Sequence, residues 1–169
     1  DNIVGGTWGP DGIIVGVRGR GLMRVSSAGG TPTPVQGANP QASWPQRLPD
    51  GRILYWVPGT ATDPAGSIRV LENGAERLVI SGAASAGRFV LPGYLFWGRG
   101  GQLLVQSVNV TTLAPLGEPL PLARPLYQSV VAAGYPAFDV SPLGSVAFFP
   151  ELPEPMQFEW LGRRGETLG

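Results

Sequence analysis

Twelve arginines and twelve aspartates or glutamates are the charged side chains of this sequence, which has no lysine, histidine or cysteine. Without an imidazole or a thiol, neither a Ser-His-Asp nor a Cys-His nucleophile can be assembled within the chain. Zinc sites of the Cys/His kind, iron–sulfur clusters and disulfides are excluded on the same ground. Paired carboxylates could serve glycoside hydrolysis. Asp11 and Asp50, however, sit in Pro-Asp-Gly turns, Glu72 and Glu76 flank Asn73-Gly74, and Glu151 and Glu154 lie in a proline-rich stretch. Ser26, Ser81 and Ser141 fall in or beside turns, where a hydroxyl bonds nearby backbone. No catalytic set, metal or cofactor is expected. The remaining chemistry is recognition by arginine forks at Arg18-Gly19-Arg20-Gly21 and Gly98-Arg99-Gly100-Gly101.

The elements that position these residues are read from a recurring turn. Gly9-Pro10-Asp11-Gly12, Leu48-Pro49-Asp50-Gly51, Leu91-Pro92-Gly93 and Ser141-Pro142-Leu143-Gly144 each follow a strand-like run. Proline presets φ for the first turn position, and glycine accepts the positive φ at which the chain reverses. Short apolar runs separated by glycine, proline or asparagine lie between these turns, as consecutive antiparallel hairpins require. The second unit is clearest: Ser43 to Leu48, then Ile53 to Val57, a continuous apolar run suited to burial on both faces, then Ile68 to Leu71 and Arg77 to Ile80. Asn73-Gly74 joins the last two and is a strong hairpin signal. The first unit gives Thr7 to Trp8, Ile13 to Val17, Leu22 to Val25 and Thr33 to Val35. The third gives Phe89 to Leu91, Tyr94 to Trp97, Leu103 to Gln106 and, after a long turn from Thr111 to Gly117, Leu120 to Ala123. The fourth gives Ala137 to Val140, Val146 to Phe149, Phe158 to Leu161 and Glu166 to Leu168. No helical spacing is sustained, so no helix is expected.

Turn glycines recur every 40 to 50 residues or so, the period of a β-propeller blade of four strands. The expected fold is therefore all-β, a β-propeller of four-stranded antiparallel blades with four blades in this chain, at residues 1–37, 38–82, 83–126 and 127–169, in a single unit. Trp8, Trp44, Trp56, Trp97 and Trp160 are expected to pack blade on blade.

Gly6-Thr7-Trp8-Gly9-Pro10-Asp11-Gly12, Trp44-Pro45-Gln46-Arg47-Leu48-Pro49-Asp50-Gly51, Phe138-Asp139-Val140-Ser141-Pro142-Leu143-Gly144 and Trp160-Leu161-Gly162-Arg163-Arg164-Gly165 carry a resemblance to the WD-like repeats of TolB-like β-propellers. The chain most resembles the propeller domains that follow bacterial serine/threonine kinase domains. The third and fourth turns lack the aspartate, and the aspartate-rich calcium loop of some such propellers has no counterpart here. The resemblance implies a non-catalytic scaffold and an extracytoplasmic location. It also implies that the turn phrase joins the innermost strand of each blade to the second, so the loop between the second and third strands and the connection into each inner strand share one rim. Arg18, Arg20 and Arg99 fall on that rim, Tyr127 and Tyr135 bracket one long connection, and Asp139 lies on the inner strand of the fourth blade. These six are the expected ligand- or partner-binding residues, arginine and aromatics being enriched in binding hot spots. The rival is a propeller that gates a hydrolase, as in prolyl-oligopeptidase-like peptidases, with its catalytic domain outside this chain.

Balanced charge without a basic stripe argues against nucleic acid as a partner, and no apolar run is long enough to insert in a membrane as a helix. The chain opens at Asp1 in what reads as repeat sequence, which suggests an excised or processed domain. Four blades without a closing strand leave three completions open. They are a four-blade ring, further blades of the parent chain, and self-association of two copies as halves of an eight-bladed ring.

Overall fold

The computed structural model describes residues 2–61, 64–129 and 131–150, and these are all-β, with no helix among them. Sheet 1 runs β1 (Ile3–Gly9), β2 (Gly12–Val17), β3 (Gly21–Val25) and β4 (Thr33–Pro34) in that spatial order. Sheet 2 repeats the arrangement with β5 (Ser43–Arg47), β6 (Ile53–Val57), β7 (Ser67–Glu72) and β8 (Ala75–Ser81). Sheet 3 does so with β9 (Arg88–Val90), β10 (Tyr94–Arg99), β11 (Gln102–Val108) and β12 (Pro115–Ala123). β13 (Phe138–Val140) and β14 (Val146–Phe148) form sheet 4 among the described residues. The expected strands Phe158 to Leu161 and Glu166 to Leu168, with Trp160, lie outside those residues.

Each recurring turn joins the first strand of a sheet to the second, and its glycine has positive φ in all four cases: Gly12, Gly51, Gly93 and Gly144. Asn73 and Gly74 both take positive φ between β7 and β8, the geometry that a two-residue hairpin demands. β12 begins at Pro115, earlier than the expected Leu120, and the turn before it is tighter, with Asn109 Oδ1 accepting from the Thr111 and Thr112 amides at 3.0 and 2.9 Å. Proline is tolerated there because β12 is an outer edge strand, where a missing N–H breaks no inner ladder.

The sheets pack face to face in chain order, which the two-residue alternation of strand side chains makes possible. From β6, Ile53, Tyr55 and Val57 pack with Ile14 and Leu22 of sheet 1, while Leu54 and Trp56 pack with Leu95, Trp97 and Leu104 of sheet 3. β6 is buried along its whole length, as its unbroken apolar run requires. β10 repeats this: Leu95 and Trp97 meet sheet 2, and Phe96 joins Phe138, with Val140 and Val146 alongside, in sheet 4.

The first strands of the sheets are linked in series. Thr7 Oγ1 accepts from the Arg47 amide at 3.0 Å. The Gln46 carboxamide then holds both backbone groups of Phe89, accepting from N at 2.8 Å and donating to O at 2.9 Å, and Arg88 Nε donates to Asp139 Oδ1 at 3.2 Å. One expectation is corrected here. Trp8 is not in a packed interface; it is 70% exposed on the face of sheet 1 turned away from sheet 2, paired across the ladder with half-buried Ile13.

Candidate binding site

Antiparallel succession sorts the loops to two ends. The first-to-second and third-to-fourth strand turns lie at one end, and the second-to-third turns lie at the other, together with the connections between sheets. At the first end, cations and carboxylates neutralise one another. Asp11 pairs with Arg24 and, at 2.5 Å, with Arg47 of the next sheet; Arg69 reaches Glu76 at 2.8 Å. Arg52, only 8% exposed, holds Asp50 and donates to the carbonyls of Val110 and Thr111 at 2.8 and 2.7 Å. The Arg52 hydrogen bond holds Asp50 below the usual carboxylate range. Burial opposes the same shift at Asp11, where its own amide and the Arg24 and Arg47 charges outweigh it. Glu76 also accepts from the Tyr55 hydroxyl at 2.7 Å, and burial together with this carboxylate pushes the phenol upward. Asp50 and Glu72 share a cleft of about 440 Å³ with Arg52, but a carboxyl held ionised by a buried guanidinium is unsuited to act as a general acid. Among the described residues no group of three or more His, Cys, Asp or Glu is placed to hold a metal.

The opposite end is built around the connection from β12 to β13, which crosses the ends of several sheets. Its backbone is taken up by side chains and amides of all of them. Arg18 Nη2 donates to Val131 O at 3.1 Å, Trp44 Nε1 to Ala133 O at 2.9 Å, and the Ala86 amide to Gly134 O at 2.8 Å. Leu126 N donates to Gly101 O at 2.8 Å and Tyr127 N to Phe149 O at 2.9 Å. The Trp44 and Tyr135 rings meet edge to face at 5.5 Å. Small residues are needed where the strand ends approach: Gly134 has φ +74°, and a Cβ there would overlap the Trp56 ring.

Three hollows flank this crossing. One of about 390 Å³ is floored by Gly66, Gly82, Gly98 and Ala133 and edged by Arg99, Tyr127, Gln128 and Tyr135. A second, of about 370 Å³, shares Trp56 and Ala133 with the first and carries Arg18. A third, of about 430 Å³, is an open groove of Trp44, Tyr135, Phe138, Phe148 and Phe149 with the Arg88–Asp139 pair. Of the six expected residues, Arg99, Tyr127 and Tyr135 are thus brought together in one hollow, Arg18 lies in the adjoining one, and Asp139 lies with Tyr135 in the third. Arg20 is exposed on the β2–β3 turn and lines none of the three. Arg99 is held in place by Gly82 O at 2.9 Å and Ser81 O at 2.6 Å, with its Cζ 5.9 Å from the Trp97 ring centre. Asp139 is 78% exposed at its side chain.

Sequence reasoning missed the parts played by Trp44, Trp56 and the Ala132-Ala133-Gly134 run. The tryptophans were expected only in packing, and the small residues offer no side chain to notice; the available signal was the length of the connection bracketed by two tyrosines. Comparisons with protein-family models, with curated proteins and with solved structures found no match for this chain.

Proposed function

We propose that this chain is a β-propeller of the WD-like, TolB-like kind that acts as a non-catalytic scaffold, offering the end crossed by the β12–β13 connection to a protein, peptide or small ligand. The supporting observation is the serial stack, in which first strands are coupled in chain order and the middle sheets are covered on both faces. Radial repetition of four-stranded sheets produces this double burial, with loops of one kind gathered at one end.

Self-association belongs to the same proposal. The face of sheet 1 bearing Trp8, Ile13 and Val15 corresponds to the faces by which sheets 2 and 3 meet their predecessors, and exposed apolar surface of this kind marks association sites. A second copy seated there would extend the stack to eight sheets and close it by rotation. Light scattering after size exclusion, with small-angle X-ray scattering on the same sample, tests both parts. A dimer of the 17.7 kDa chain with the profile of a ring is the expected result. A monomer removes the dimer, and an extended, non-annular profile removes the propeller reading.

A further inference from the structure

Among the described residues, the two adjoining hollows at the crossed end carry arginine and no carboxylate. Arg99 and Arg18 each donate to backbone carbonyls, which fix the guanidinium but leave its charge uncompensated. No acidic residue lines either hollow among the described residues, in contrast to the opposite end, where arginines meet Asp11, Asp50 and Glu76. The cations lie in separate hollows that share Trp56 and Ala133, over a floor of glycine and alanine, with the Tyr127 and Tyr135 side chains on the Arg99 side.

We infer that this basin binds an acidic peptide segment of a protein partner, laid in extended form so that its carboxylates reach Arg18 and Arg99. The inference rests on the scaffold reading above and names its partner chemistry. A single phosphate would engage one arginine and leave the other hollow unused, whereas an extended peptide offers carboxylates along its length and a narrow main chain that the small lining residues leave room for. Prefixed guanidinium groups have little rotamer freedom left to lose on binding, which favours the complex.

The test is calorimetric titration of the whole chain with blocked hexaglutamate, hexalysine and inorganic pyrophosphate at low and moderate salt. Hexaglutamate is expected to bind with salt-sensitive affinity, and Arg18→Gln with Arg99→Gln together to weaken it by at least about tenfold. Arg18→Lys with Arg99→Lys keeps the charge and should bind more tightly than the Gln pair, though more weakly than the unmodified chain because lysine lacks the fork that Ser81 O and Gly82 O hold at Arg99. Arg124→Gln, a charge change outside both hollows, should leave affinity unchanged. Silence of hexaglutamate, equal binding of hexalysine, or equal loss in Arg124→Gln overturns the inference, as does pyrophosphate binding at the two arginines without hexaglutamate binding. Thermal unfolding and the scattering profile are recorded for each variant. A failed titration with an unchanged profile counts against the acidic peptide alone, and an altered profile in the unmodified chain counts against the scaffold.

Discussion

Arginine serves here chiefly as a fastener, and its partners determine how the protein should respond to acid. Arg52 and Asp50 are the clearest pair, because the guanidinium is buried while the carboxylate stays half exposed. Asp50 and Asp11 both titrate below the ordinary value of 3.8. The unfolded chain therefore binds protons at a pH where the native one does not, so their stabilisation is complete above the unfolded value and is lost as pH falls through the lower native values. Melting temperature should be flat from neutrality to about pH 5 and decline below that. Asp50→Asn should melt lower at neutral pH and show a shallower acid decline, which circular dichroism across the range will measure. An unchanged acid slope in the variant would remove Asp50 from this account. The turn aspartates were legible in the sequence as turn residues, and Asp50 does cap its own turn by accepting from the Arg52 amide at 3.1 Å. That Asp11 reaches Arg47 of the next sheet was not legible, since no local pattern records which arginine a fold brings alongside.

Strands were read well where one-dimensional pattern and burial coincide. Ile53–Val57 is apolar at every position and buried on both faces; Asn73-Gly74 fixed its hairpin. They were read poorly where an edge strand can be built from turn-like residues, as with Pro115, Gly117, Pro119 and Pro121 in β12. The β12–β13 connection was the largest omission, because its order comes from main-chain groups taken up by distant side chains. Gly134 tests that order. Gly134→Ala combines left-handed strain with overlap against Trp56 and should cost about 2 to 4 kcal/mol in urea unfolding. Gly144 also has positive φ, +86°, but with open space around it, and Gly144→Ala should cost only about 1 kcal/mol. Equal losses for the two would mean that the crossing is not held against Trp56.

At the scale of the whole molecule, the proposed self-association rests on the exposed face of sheet 1. Tryptophan is a residue that sequence reasoning sends to a packed interface, and Trp8 is instead 70% exposed, with no described sheet covering it. On the proposed dimer, Trp8→Ser should return the mass in solution to that of the single 17.7 kDa chain at micromolar concentration, with little change in melting temperature. A persistent dimer in that variant would place the seam elsewhere. The serial links between first strands carry a separate consequence. Among these first-strand links, a hydroxyl meets an amide, a carboxamide clasps a peptide unit, and a guanidinium meets a carboxylate, so each is made by different groups. The sheets share a recurring turn but are linked to their neighbours by different groups. Exchanging sheets 2 and 3 would separate Gln46 from Phe89 and Thr7 from the Arg47 amide, so these links tie each sheet to its place in the order along the chain.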